Sequence, residues 1–182
     1  GVQVKGRMNC EFPKKPLGIY FRSKYGENKI SYPFFKEKDV TQFSSIILRP
    51  GGADGMGDCY NGTMIRDGLL GNMLAGEMDI DFEGFRPAVL YINGQYWGIH
   101  NIRERNKSDY LEGNHGIDPD NLDILENPAN GGIIEGDDLK YMELLNFARS
   151  GQIYEEDAYE RLGELIDIQE YLQLSKLQVD QL

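Results

Sequence analysis

The chain has 182 residues, 40% of them apolar and 27% charged, a globular balance at a length that buries about 70% of the unfolded surface. No run of 18 apolar residues occurs, which excludes a membrane-spanning helix, and two cysteines, Cys10 and Cys59, are too few for a disulfide scaffold or a zinc site of their own. The net charge of −11 sits in the last third: residues 1–116 carry 15 Lys+Arg against 14 Asp+Glu, and residues 117–182 carry 4 against 16, which argues against a nucleic-acid binder.

In chain order, Val2-Gln3-Val4 alternates as a strand does, and Pro16 opens a second strand over Leu17–Phe21. Ser45–Leu48 is a short apolar run that suits a buried strand. The spacing next predicts a helix near 62–76, with Asn61 as N-cap and Ile65, Leu69 and Met73 as its apolar stripe. Gly68 and Gly71 inside it cost about 1 kcal/mol each against Ala, which points to close packing there. Ala88–Ile92 and Gln95–Ile99 flank Asn93-Gly94, a type I′ hairpin signal because both turn residues tolerate positive φ.

Beyond Glu104 the pattern turns helical. Leu139–Ser150 ends on Gly151, a good C-cap, and a further helix covers about 155–165. Asp167 with Glu170 makes a capping-box-like start for a last helix, whose stripe is Ile168, Tyr171, Leu172 and Val179. That helix meets no stop signal and the chain opens on Gly1, not Met. The expectation is a piece of a larger domain, with self-association through the last helix as another way to cover the stripe.

The chain lacks a Gly-x-Ser-x-Gly elbow, a Walker loop and a Rossmann fingerprint. Asp118-Pro119-Asp120-Asn121 reads as a turn, not as a calcium loop. Three segments suit anion chemistry. Phe12-Pro13-Lys14-Lys15-Pro16 places two cations before a strand, where a lysine can hold a phosphate as a point charge. Arg49, Asp54, Arg66 and Asp67 flank the glycine-rich stretch 50–57 and the helix start, as phosphate contacts or as a structural ion pair. In Ile102-Arg103-Glu104-Arg105, Glu104 can hold a substrate hydroxyl, a metal or a lysine.

These segments, with Met64-Ile65-Arg66-Asp67-Gly68-Leu69, Tyr91-Ile92-Asn93-Gly94-Gln95-Tyr96-Trp97-Gly98 and Gly116–Leu125, resemble the spore coat protein H (CotH) family of atypical protein kinases in order and over nearly the whole chain. His100 departs from the aromatic residue more often found there. The resemblance implies an α+β, protein-kinase-like fold: a strand-rich nucleotide lobe over residues 1–116, then an acidic helical region, 117–182, that starts a second lobe. It implies ATP and Mg2+ as cofactors, a secreted or coat protein as substrate, and an exported location. Nucleotide contacts fall to Lys15, Arg49, Arg66 and Glu104. No catalytic or metal-binding residue is assigned to this chain, because the resemblance places the family's catalytic Asn-x-Asp-like motif just beyond the third helix and its metal-binding Asp further on, near a Trp-Asp, and neither is found in the residues given. The alternative is a non-catalytic extracellular module that binds protein or glycan on the same fold.

Overall fold

The computed structural model describes residues 1–6, 13–51, 54, 62–78, 80–126 and 132–179. Cys10, Asn61, Cys59, Asp79 and most of the glycine-rich stretch 50–57 lie outside the described residues, as do the side chains of Asp67 and Val179. The chain divides into two compact units: residues 1–75 with 82–117, and residues 76–81 with 118–182.

The first unit is built on a five-stranded antiparallel sheet, in the order β1-β2-β5-β7-β6. Its strands are β1 (Val2–Val4), β2 (Leu17–Tyr20), β5 (Ser45–Arg49), β6 (Phe85–Ile92) and β7 (Gln95–Arg103). All five expected strand segments are present. The hairpin turns on Asn93 and Gly94 at φ 52° and 78°, the positive pair that a type I′ turn requires. Pro87 lies within β6, which is tolerable because β6 is an edge strand.

Side chains alternate across the sheet, so the register fixes two faces. On one face Leu48 stands opposite Ile102, and Ile46 opposite Ile19. This face is covered by the segment around β3 (Ile30–Ser31) and β4 (Gln42–Phe43), a small hairpin that the sequence pattern did not reveal. Phe35, Phe43 and Ile46 form the core there, with Phe34, Val40 and Ile102 packed on it. Gly84 leaves room for the Phe35 ring.

The other face carries α1 (Arg66–Leu74). The expected stripe on this helix is inverted: Ile65, Leu69 and Met73 are exposed. The packed side is the glycine side instead. A methyl group on Gly68 would overlap the Phe85 ring, and Gly71 sits against Phe82. Close backbone approach, not an apolar stripe, seats this helix. The helix also begins later than expected, at Arg66, because Met64 takes a left-handed φ of 63° just before it. After the sheet, α2 (Ser108–His115) buries Tyr110 and ends on Gly116 at φ 67°.

In the second unit, Asp118 caps a short 3-10 turn over Pro119–Asn121, accepting from the Asp120 N–H at 3.1 Å. Two short strands follow, β8 (Ile124–Leu125) and β9 (Ile133–Glu135), where the sequence reading placed only helix. Then come α3 (Leu139–Arg149), α4 (Ala158–Leu165) and α5 (Ile168–Val179). Gly151 follows α3 at φ 80°, and the Asp167 carboxylate accepts from the Glu170 N–H at 2.9 Å, so both expected helix signals are realised. Tyr171 and Leu172 of the α5 stripe are exposed.

Candidate functional site

The residues singled out for anion chemistry fall into two clusters on the first unit. One surrounds Met64. A non-glycine residue held at positive φ costs about 1–3 kcal/mol and persists only where its surroundings hold it. All three polar groups of Met64 are engaged. Its N–H donates to the Asp54 carbonyl at 3.0 Å. Its carbonyl accepts from Asn101 Nδ2 at 2.6 Å, and its sulfur faces Lys14 Nζ at 3.8 Å.

Asp54 organises the start of α1. Its carboxylate accepts from the Thr63 hydroxyl at 2.6 Å, the Thr63 N–H at 2.9 Å and the Arg66 N–H at 3.0 Å, and it pairs with the Arg66 guanidinium at 3.3 Å. The Thr63 hydroxyl first, then the Arg66 N–H, pull its pKa down to about 2. The Arg66 side chain is 66% exposed, so the partner of Asp54 still faces solvent. Arg49, at the end of β5, stands opposite Asn101 of β7.

The Lys14-Lys15 segment is pinned to the sheet by His100. This imidazole is 1% exposed and lies 3.2 Å from the Lys15 carbonyl, which can only accept, so Nε2 carries the hydrogen. Burial lowers its pKa, the nearby charge of Lys14 lowers it further, and the Lys15 carbonyl opposes both. A neutral imidazole that donates to a backbone carbonyl is a physical use for the residue that departs from the resemblance. Lys14 extends across β7 at Gly98, whose φ is 100°; a Cβ on Gly98 would lie 2.7 Å from Lys14 Cε.

Glu104 belongs to the other cluster, about 10 Å further along the chain from Asn101 at ~3.3 Å per residue. Of its three possible uses, the structure shows the lysine: Lys38 Nζ lies 2.6 Å from its carboxylate, with the two side chains 8% and 4% exposed. Glu104 also accepts from the Gly84 N–H at 2.8 Å and from Asn114 Nδ2 at 2.9 Å. Lys38 in turn donates to Asn114 at 2.9 Å and to the Tyr110 hydroxyl at 3.4 Å, and lies over the Tyr110 ring. The flanking arginines do not share the Glu104 carboxylate. Arg103 pairs with Glu83 at 3.3 Å, and Arg105 lies over the Tyr20 ring.

The structure thus links the Lys15, Arg49 and Arg66 segments through His100, Asn101 and Met64, and sets Glu104 apart from them. Sequence reasoning passed over Lys38, whose segment Lys36-Glu37-Lys38 reads as a solvated charge run. It also passed over Asn101. Among the described residues no group of three or more His, Cys, Asp or Glu is placed to hold a metal ion. No described helix is long and apolar enough to cross a membrane.

No curated protein matches the chain. The family model described as CotH kinase protein matches residues 2–174, a span that includes both clusters, the hairpin, helices α2 to α4 and the first part of α5. The chain belongs to the CotH kinase family.

Proposed function

We propose that this chain is the phosphate-holding part of an atypical, ATP-dependent protein kinase that acts on Ser or Thr of coat or exported proteins. The observation that carries this reading is the Met64 cluster. Lys14 faces the sulfur of the strained Met64, Asn101 holds its carbonyl, and Asp54, whose carbonyl takes the Met64 N–H, pairs with the Arg66 guanidinium. Protein kinases cover the nucleotide phosphates with a glycine-rich loop and set a cation on the third strand, ahead of a helix. Here the third strand of the sheet in chain order is β5, it ends on Arg49, and α1 follows it. In this reading Lys15, Arg49 and Arg66 contact phosphate oxygens. Glu104 acts on the site at a distance, by fixing Lys38 and the end of β7. The ATP supplies the transferred phosphoryl group; the residues described here bind and orient it. Mg2+ is assigned to no residue of this chain.

A ligand that binds only the folded protein adds about 2.7 kcal/mol at a hundredfold excess over Kd. Mg-ATP should therefore raise the melting temperature, and Lys15→Ala should reduce that rise. A melting curve indifferent to Mg-ATP at millimolar concentration would overturn the reading.

A second reading, a binding module without catalysis, has its own support. Tyr91, Tyr96 and Trp97 are 61%, 58% and 40% exposed on the hairpin, the kind of aromatic surface that stacks on sugars or on a protein. Oligosaccharide binding that quenches Trp97, with no response to Mg-ATP, would favour it.

A further inference from the structure

We infer that Lys5, Arg22 and Arg105, gathered round the ring of Tyr20, hold a phosphoserine or phosphothreonine already present on the protein substrate; this rests on the kinase reading above and adds how the substrate is chosen. All four residues belong to the first unit. Lys5 follows β1, Arg22 lies two residues past the end of β2, and Arg105 two residues past the end of β7. Their charges come to 5.1, 5.3 and 5.2 Å from the centroid of the Tyr20 ring. A ring has two faces, so at least two of the three charges crowd one side. The ring attracts each cation, but the cations repel one another. An anion laid between them turns that repulsion into attraction.

The backbone is shaped for this gathering. Gly18 and Tyr20 share a face of β2. A Cβ on Gly18 would lie 3.1 Å from Cγ and Cε of Lys5, so the bare glycine lets the lysine stem lie along the strand towards the ring. The phenol oxygen of Tyr20 is buried with no hydrogen-bond partner among the described residues, so the ring, not the hydroxyl, is what the site uses. A phosphoryl group on Ser or Thr carries close to two charges and three acceptor oxygens, which three cations match better than one carboxylate would. Guanidinium forks take such oxygens in pairs. Arg22 is exposed, so the cluster is open to a side chain of another protein. The surrounding charge favours an acidic visitor: residues 1–25 carry six Lys+Arg against one Asp+Glu, in a chain of net charge −11.

The test titrates a fluorescein-labelled glycine-serine peptide with one central phosphoserine, its unphosphorylated form and its form with Glu there, read by anisotropy. The phosphopeptide should bind, the Glu form more weakly, and the unphosphorylated form not at all. Arg22→Gln and Arg105→Gln should each weaken binding by at least about tenfold, the scale of one charge-assisted hydrogen bond. Tyr20→Phe should keep the affinity and Tyr20→Leu should lose it. Lys24→Met, whose ammonium lies over the Tyr25 ring instead, should change nothing. Without any variant, the phosphopeptide should protect Lys5, and not Lys24, from acetylation read by mass spectrometry. Equal binding of the phosphorylated and unphosphorylated peptides, or binding indifferent to both arginine variants, overturns the proposal. Inorganic phosphate that displaces the peptide at equal concentration overturns the peptide's part in it. If Mg-ATP competes with the peptide, the cluster belongs to the nucleotide site, so the proposal is wrong and the nucleotide reading stands. If the phosphopeptide binds through Arg22 and Arg105 while Mg-ATP leaves the melting curve unmoved, the nucleotide reading fails and the phosphopeptide site stands.

Discussion

Lys38 and Lys14 both leave water for the body of the sheet unit, and their surroundings are opposite. Lys38 reaches a carboxylate, an amide oxygen and a hydroxyl, and lies over an aromatic ring. Among the described residues Lys14 reaches one sulfur. The first arrangement is closed: it joins the loop before β4, the end of β7 and α2, and leaves no capacity for a ligand. The second is sparse among the described residues, and it sits beside a backbone in a sparsely populated conformation. Within one unit, the same side chain is tied down by a network in one place and by a single weak contact among the described residues in the other.

The comparison breaks most easily at the closed end. Removing one partner of a buried ion pair leaves the other charge stranded, at about 3–5 kcal/mol. Lys38→Met or Glu104→Gln should each lower the melting temperature of the sheet unit by many degrees. The double variant Lys38→Met with Glu104→Leu should recover much of the loss, since a well-packed apolar pair often replaces a buried ion pair at no net cost. Equal losses for single and double variants in thermal melts would show that the pair is not the linchpin.

The sparse end predicts a smaller effect of mixed sign. Gly98→Ala forces a Cβ onto the Lys14 stem at a left-handed φ and should cost about 1–2 kcal/mol. Lys14→Met, in contrast, removes a half-buried charge and should leave the ligand-free protein as stable as the wild type, or slightly more so.

The smallest effects lie in the pH profile. Burial holds the His100 imidazole below its ordinary value of 6.5, so the unfolded chain takes up that proton first. This group leaves stability unchanged above about pH 6.5 and erodes it as the pH falls below that. His100→Asn should flatten that slope. Asp54 acts lower: its carboxylate, drawn from 3.8 to about 2, supports the fold above about pH 4 and stops doing so as the pH falls towards 2. An NMR titration of the Asp54 carboxyl checks that midpoint directly.

Much of the sheet was legible because strands carry local signals: Pro16 before β2, the apolar run of β5, and Asn93-Gly94 between β6 and β7. The helix α1 was legible in place but not in orientation. Periodicity assumes that large apolar residues face the core, whereas Gly68 and Gly71 seat this helix by letting Phe85 and Phe82 approach its backbone. The β3–β4 and β8–β9 pairs escaped because two- and three-residue strands leave no pattern to read. In the site, Arg66 with Asp54 was a candidate ion pair and is one. The partner of Glu104 was not legible, since Lys38 lies 66 positions earlier and pairing across such a distance leaves no trace in spacing.

Pro87 has an effect beyond its tolerated place in β6. The outer rim of a sheet is a template on which a strand from another molecule can be laid, rung by rung. Proline offers no N–H for one of those rungs, and Arg86 beside it adds an exposed charge. The opposite rim, β1, is only three residues long. The two margins therefore hinder growth past five strands, and concentrated protein should resist fibril formation through this sheet even though the neighbouring hairpin face is rich in exposed aromatic side chains.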